Sequence, residues 1–362
     1  MHITFFGSSL TSAYWNGAAT YYRGICRALY RLGHQITFVE QDIYDRQQYR
    51  DLLSDPEYAK IVICRDLEDL DREVDRARTS NLVVKCSGVG RYDDHLARAV
   101  LEARTPSNRV VFWDVDAPHT LDTTMRDPNS DFRKLIPRYD AILTYGGGRK
   151  VQENYQKLGA RAIELVYNAL DPDIHHPVPP DPAYSCDLLF VGNRLPDREA
   201  RVHAFFLNVA ASCPAHKFLL GGEGWGDLAM PPNVRYIGHV PTALHNRLNC
   251  SARLVLNINR QSMADYGFSP PTRIFEAAGA GACIVTDRWD GIESFLKPGE
   301  EVLVASSPSD VSVFVSGVTS KQASSIGLRA LKRILAEHSY EHRGRQLQRF
   351  LNQLFDCPSQ RS

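Results

Sequence analysis

Short apolar runs of strand length alternate with helical patterns through both halves of the chain. Residues 2–7 (HITFFG), 35–40 (QITFVE), 60–65 (KIVICR), 82–87 (LVVKCS), 109–114 (RVVFWD) and 141–146 (AILTYG) are largely continuous in their apolar character. That pattern predicts strands covered by helices on both faces, as in a parallel sheet. Between the first two runs, Ala18, Tyr21, Tyr22, Ile25, Ala28, Leu29 and Leu32 recur at helical spacing, and Gly33 ends the pattern. Strand, helix, strand in that rhythm is a βαβ unit. The pattern restarts at 186–193, 217–224, 234–240, 253–259, 283–287 and 301–306. The expected fold is therefore α/β, with two Rossmann-like doubly wound parallel-sheet domains at 1–168 and 186–335. Prolines 172, 177, 179, 180 and 182 stiffen the stretch between them, so 169–185 reads as a linker. A last amphipathic stretch, 329–355, carries Leu331, Ile334, Leu335, Leu347, Phe350, Leu351 and Leu354. Its distal part, 336–362, is expected to form a C-terminal helix able to pack back on the first domain.

Charge and cysteine usage narrow the function classes. The 362 residues hold 42 Lys plus Arg and 42 Asp plus Glu, so the net charge is zero and nucleic acid is not an expected partner. No run of about 18 apolar residues is present, so no transmembrane segment is expected. The start, MHITFFGSSL, reads as a strand and not as a signal peptide. Cys26, Cys64, Cys86, Cys186, Cys213, Cys250, Cys283 and Cys357 form no C-x-x-C pair and mostly fall in apolar contexts. They read as reduced thiols in a cytoplasmic protein. The histidines show no metal-ligand spacing on a helix and no cysteine partners, so no metal is assigned. P-loop and GxSxG signatures are absent.

Open α/β sheets bind ligands beyond the carboxyl ends of their strands. The segment 257–287 (NINRQSMADYGFSPPTRIFEAAGAGACIVTD) is the richest there. A strand ends near Asn259, a loop carries Tyr266, Ser269 and Pro270, and a helix opens near Thr272. Free N–H groups at that helix start, with Arg273 in its first turn, suit an anion. Glu276 offers two acceptor oxygens to the hydroxyls of a ribose; its spacing from Thr272 is i to i+4, one residue too long for a capping box. Gly192, Asn193, Arg194 and Arg198 follow the first strand of the second domain, where arginine forks suit a diphosphate. Gly221, Gly222 and Gly224, and Gly238 with His239, sit after the next two strands. There they either let a base approach the backbone or merely punctuate turns.

The stretch RIFEAAGAGACIVTDRWDGIESFLKPGEEVLVA (273–305) resembles the donor-binding signature of nucleotide-sugar glycosyltransferases with the GT-B fold, particularly the CgeB-like (spore maturation protein) group. Residues 16–42, 135–148, 167–177 and 258–277 are similar to the group's opening helix and second strand, last first-domain strand, crossover and donor loop. The resemblance implies two domains facing a cleft and a nucleotide-sugar donor, UDP-linked or similar, as co-substrate with no further cofactor. It gives Glu276 the ribose, and Arg198, Arg273 and the helix start the diphosphate. Gly7 and the Asn16-Gly17-Ala18 turn would face the sugar. Many retaining members of the fold carry a second glutamate eight residues before the ribose glutamate; this chain has Phe268 there, with Asp265 the nearest upstream acid.

The first domain offers Asp114, Asp116 and His119 at a strand end, where Asp116 or His119 could take the proton of an incoming hydroxyl. Two other readings stand beside it: a metal-binding Asp-x-Asp pair, and aspartates that cap the following helix. Gly146–Gly148 would either admit an acceptor or turn the chain. The expected function is transfer of a sugar to an unidentified acceptor hydroxyl, with retention and without a metal. A nucleotide-sugar epimerase and a non-catalytic nucleotide-sugar-binding protein are the rivals.

Overall fold

The computed structural model describes residues 1–14, 16–88 and 90–356. It divides into two compact units, Met1–Asn168 together with the chain from Tyr340, and Ala169–Ser339.

The first unit is built on a seven-stranded sheet: β1 (His2–Gly7), β2 (Gln35–Gln41), β3 (Lys60–Cys64), β4 (Leu82–Cys86), β5 (Arg109–Asp114), β6 (Ala141–Thr144) and β7 (Ile163–Leu165). Its order is β3-β2-β1-β4-β5-β6-β7, and every pairing is parallel. The order reverses between β1 and β4, which makes the carboxyl end of β1 a topological switch point. Phe5, Phe38 and Trp113 stack beneath it, with Tyr21 and Tyr22 from the helix Ala19–Arg31 packed on them. β7 was not expected, because three half-exposed residues leave too short an apolar run to stand out.

The second unit has a six-stranded parallel sheet: β8 (Cys186–Val191), β9 (Phe218–Gly221), β10 (Val234–Tyr236), β11 (Ala252–Asn257), β12 (Ile284–Asp287) and β13 (Leu303–Ala305), in the order β10-β9-β8-β11-β12-β13. Several strands are shorter than their apolar runs. β9 stops at Gly221 because Gly222 turns the chain at φ +120°, and β10 stops two residues before Gly238 at φ +68°.

The stretch 169–185 is no free connector: it packs within the second unit, with Leu170 and His175 buried and Leu170 N donating to the His338 carbonyl. The amphipathic stretch 329–355 is shared between two helices, Ser320–Glu337 and Tyr340–Asp356, separated by His338 and Ser339, because Ser339 bridges to Leu170 at the break. The second of these helices belongs to the first unit, where Tyr340 lies against Gly24 so closely that a Cβ there would sit 2.3 Å from the ring. The end of the expected 336–362 helix and Cys357 lie outside the described residues. Among the described residues every cysteine is free, six are buried and Cys250 is half-buried. Among the described residues no helix is long and apolar enough to cross a membrane.

Candidate functional site

Beyond the carboxyl ends of β8, β11 and β12 the second unit gathers several polar side chains that are shut off from water. The helix Thr272–Gly279 opens behind Pro271 with no side-chain cap, although Ile274 N donates to the Pro271 carbonyl. Arg273 sits in that first turn; its Nη1 is sealed from solvent without a hydrogen-bond partner. Arg198 projects from the helix Pro196–Val202, lies over the Phe190 ring at 5.6 Å, and donates from Nη2 to the Asn193 carbonyl at 2.5 Å. Its Nε has no partner. Burial, then the like charge of Arg273, pulls the Arg198 pKa down to about 10. Burial also lowers that of Arg273, with Glu276 opposing the shift. Two cations held together with unmade donors are strained by mutual repulsion, which an anion would relieve.

Glu276 lies one turn further along and is only 8% exposed. Burial pushes its carboxyl pKa up, but His175, Arg273 and His245 outweigh this and leave it below the usual range. His175 Nε2 stands 3.8 Å from one carboxylate oxygen and His245 Nδ1 3.7 Å from the other. Both His175 nitrogens and His245 Nδ1 are buried without hydrogen bonds. Burial takes the His245 pKa down to about 4, so that imidazole is neutral at pH 7. Among the described residues, His175, His245 and Glu276 are the group whose ligand atoms, all within 4.8 Å of one another, have a spacing that could suit a metal ion. The two rings stack at an interplanar angle of 25°. Arg273 supplies positive charge beside that carboxylate. Spacing along the sequence did not reveal this trio, because its members come from three separate elements.

The loops around the arginines meet backbone to backbone. A Cβ on Gly222 would lie 2.3 Å from the Gly192 carbonyl oxygen, and one on Gly192 would lie 2.8 Å from Arg198 Nη2. Trp225 Nε1 donates to Gly192 O at 2.7 Å and Asn193 Oδ1 accepts from Glu223 N at 3.0 Å, fixing both turns. Arg194 is not part of the cationic pair: Asp227 and Glu199 take its guanidinium. The largely exposed His239 side chain stands near Glu223. Asn259 is buried; its N–H donates to Asp287, its Oδ1 accepts from Asn257, and its Nδ2 has no partner. Asp287 also takes Arg201, yet burial still raises its pKa to about 6. Ser269 Oγ donates to Gly267 O, Pro270 is buried and Tyr266 ends the short helix Gln261–Tyr266. Phe268 follows with φ +44°, a left-handed backbone unusual for a bulky side chain, and its N–H donates to Asp290 O.

In the first unit, Asp114 is fully buried and accepts from Ser87 Oγ, Asp116 N, Thr120 Oγ1 and Tyr155 Oη. Burial raises its pKa. Those four donors turn it inward, which removes the Asp-x-Asp metal reading. Asp116 occupies the N-cap position of the helix Ala117–Arg126 without making a side-chain cap, and His119 is exposed on that helix. Gly7 is required by packing, since a Cβ would meet the Phe38 ring at 2.5 Å; Gly17 faces open space. The Asn16 amide is bound within its own loop, to Ser8, Ser9 and Ser12. Gly147, at φ +90°, turns the chain into the helix Gly148–Lys157.

This architecture is that of GT-B glycosyltransferases. The chain is similar in structure to Anabaena Alr3699/HepE solved with UDP and glucose, at 13% identity and TM-score 0.68, over 98% of this chain and 100% of that one. A sucrose-phosphate synthase from Thermosynechococcus elongatus aligns at 13% identity and TM-score 0.66, over 98% and 99%. T4 phage BGT in complex with UDP-glucose aligns at 12% and TM-score 0.58, over 99% and 100%. No curated protein matches the chain in sequence. Residues 198–349, which begin at Arg198 and take in Arg273 and Glu276, match the family described as glycosyl transferase-like. The chain thus has the GT-B fold, and this part of it is similar to the glycosyl transferase-like family.

Proposed function

We propose that the chain transfers a sugar from a nucleoside-diphosphate sugar to an acceptor hydroxyl, with retention at the anomeric carbon and with arginines in place of a metal ion. The observation that carries the reading is the pair Arg198 and Arg273, two confined cations with unmade donors, the second of them one helical turn from the buried carboxylate of Glu276. In this reading Glu276 accepts from the ribose hydroxyls, and the arginines with the helix start hold the diphosphate. Charge builds on that diphosphate as its bond to the sugar breaks, so fixed donors stabilise the transition state more than the ground state. Excluding water from the site limits hydrolysis of the donor. Retention and a place in the CgeB-like group rest on the likeness of 273–305. A cytoplasmic setting fits seven described thiols, none of them paired. Asp116 and His119 are the first-unit groups proposed to receive the acceptor proton.

Similar structures hold UDP and UDP-glucose, so UDP-glucose leads the donors to try. Thermal melting with a panel of UDP-, GDP- and TDP-sugars should show a rise in Tm for at least one, through mass action. Proton NMR of the product formed by that donor with an acceptor extract should show the donor's anomeric configuration kept. A flat panel rejects the reading, and an inverted product rejects retention. Conversion of the donor alone into its epimer would favour an epimerase instead.

A further inference from the structure

Beyond the carboxyl ends of β1 and β2, two loops of the first unit display an unusual set of exposed rings. Tyr14 and Tyr49 stack at a centroid separation of 4.2 Å and an interplanar angle of 22°, though they stand 36% and 52% exposed. Tyr44, on the same loop as Tyr49, is 56% exposed with the Arg46 guanidinium 5.3 Å from its ring centroid, and Leu53 projects almost wholly into solvent. Large exposed rings gathered in one place, on loops, mark a binding surface more often than a structural need.

The loops that carry them are rigidly tied. The buried carboxylate of Glu40, at the end of β2, accepts from Leu10 N at 2.6 Å, Thr11 N at 3.2 Å, Thr11 Oγ1 at 2.5 Å and Gln47 Nε2 at 2.8 Å. Asp51 accepts from Ala13 N and takes both Nη atoms of Arg23. Ser12 Oγ donates to Tyr49 O, and the N–H groups of Asp51 and Leu52 donate to Thr11 O. Tyr44 and Asp45 both hold left-handed backbone, at φ +57° and +56°, conformations that cost free energy for residues other than glycine. Such strain persists only where the surroundings impose it. Here the network fixes the display of the rings before any ligand arrives, so little ordering entropy is lost on binding.

We infer that the stacked pair Tyr14 and Tyr49 forms a saccharide-binding platform, and that the acceptor of the transfer is a carbohydrate. A pyranose has an apolar C–H face and a rim of hydroxyls. The tyrosines offer flat rings for the C–H face and phenolic groups for the hydroxyl rim. A lipid or a flat aromatic molecule would call for continuous apolar surface instead. This inference rests on the transferase reading for the word acceptor, but the platform itself is a binding claim.

The test uses the full chain on an array of immobilised mono- and oligosaccharides, with 4-nitrophenol titrated separately in solution. The wild type should retain at least one saccharide. Tyr14→Ala and Tyr49→Ala should weaken that binding about tenfold or more, Tyr49→Phe should stay within about threefold, and all should melt near the wild type because the side chains are exposed. UDP-glucose binding, measured on the same samples by calorimetry, should not change. Loss of donor binding in the wild type would sink the transferase reading alone. No retained saccharide, undiminished retention by both alanine variants, or binding of 4-nitrophenol without any saccharide would each overturn the platform.

Discussion

Arg198 and Arg273 are held close enough for the charge of the second to depress the pKa of the first, with no carboxylate bonded directly between them. A fold optimised for stability alone would not keep such a pair, which is the ground on which we propose it as an anion site. Replacement of Arg198 by alanine should therefore separate stability from function. The free protein should melt at the wild-type temperature or slightly above, while the ligand-induced rise in Tm with UDP-glucose disappears. Turnover should fall about 100-fold, the scale of a lost transition-state donor. Near-normal turnover in both Arg198→Ala and Arg273→Ala removes the diphosphate assignment.

Glu276 opposes the charge of Arg273, and in the proposed site it would also present oxygens to the ribose. Glu276→Ala leaves a buried cation uncompensated, and removal of one partner from such a pair costs about 3 kcal/mol. Glu276→Gln keeps the shape and one acceptor, so it should fold more stably than the alanine variant while losing donor affinity. Wild type should bind UDP more tightly than its 2′-deoxy analogue, and that preference should shrink in Glu276→Gln. Equal preference in both, read by calorimetry, would move the ribose elsewhere.

How much of this was legible in the sequence depends on how local each signal is. Continuous apolar runs marked twelve of the strands, because a buried parallel strand writes itself in consecutive residues; β7, with Ile163–Leu165 all half-exposed, left no such trace. Glu276 and Arg273 stood out for the same reason, being one turn apart on one helix. The ion pair of Arg194 with Asp227 is not legible along the sequence, because Asp227 lies on another loop. His175 and His245 went unseen as a pair, since only the folded chain brings them to one carboxylate. The break at His338 and Ser339 carries no glycine or proline, and is set by the bridge to Leu170.

His245 gives the fold a pH response on the acid side. Its unfolded pKa is near 6.5, whereas burial holds the folded value at about 4. Between those values the unfolded chain binds the extra proton, so stability is fully present above pH 6.5 and is lost as pH falls toward 4. The loss is at most about 3 kcal/mol from this group. Urea unfolding at pH 7.5 and pH 5 should show a smaller drop for His245→Gln than for the wild type. An equal drop in both would show that the imbalance does not reside in His245.

Asp287 works in the opposite direction. Burial raises its pKa from 3.8 to about 6 despite the help of Arg201 and the Asn259 N–H. The folded chain therefore holds a proton that the unfolded chain has already released, and its contribution to stability, complete below about pH 4, is lost as pH rises through 6. Asp287→Asn removes that titration while keeping an oxygen for the Asn259 N–H. Relative to wild type, the variant should gain stability steadily between pH 4 and pH 6.5 and then run parallel to it. Because the Asn259 backbone stays held, donor affinity at pH 7 should change less than threefold. A difference in stability that is flat across that pH range would mean the Arg201 pair, and not burial, governs the carboxylate.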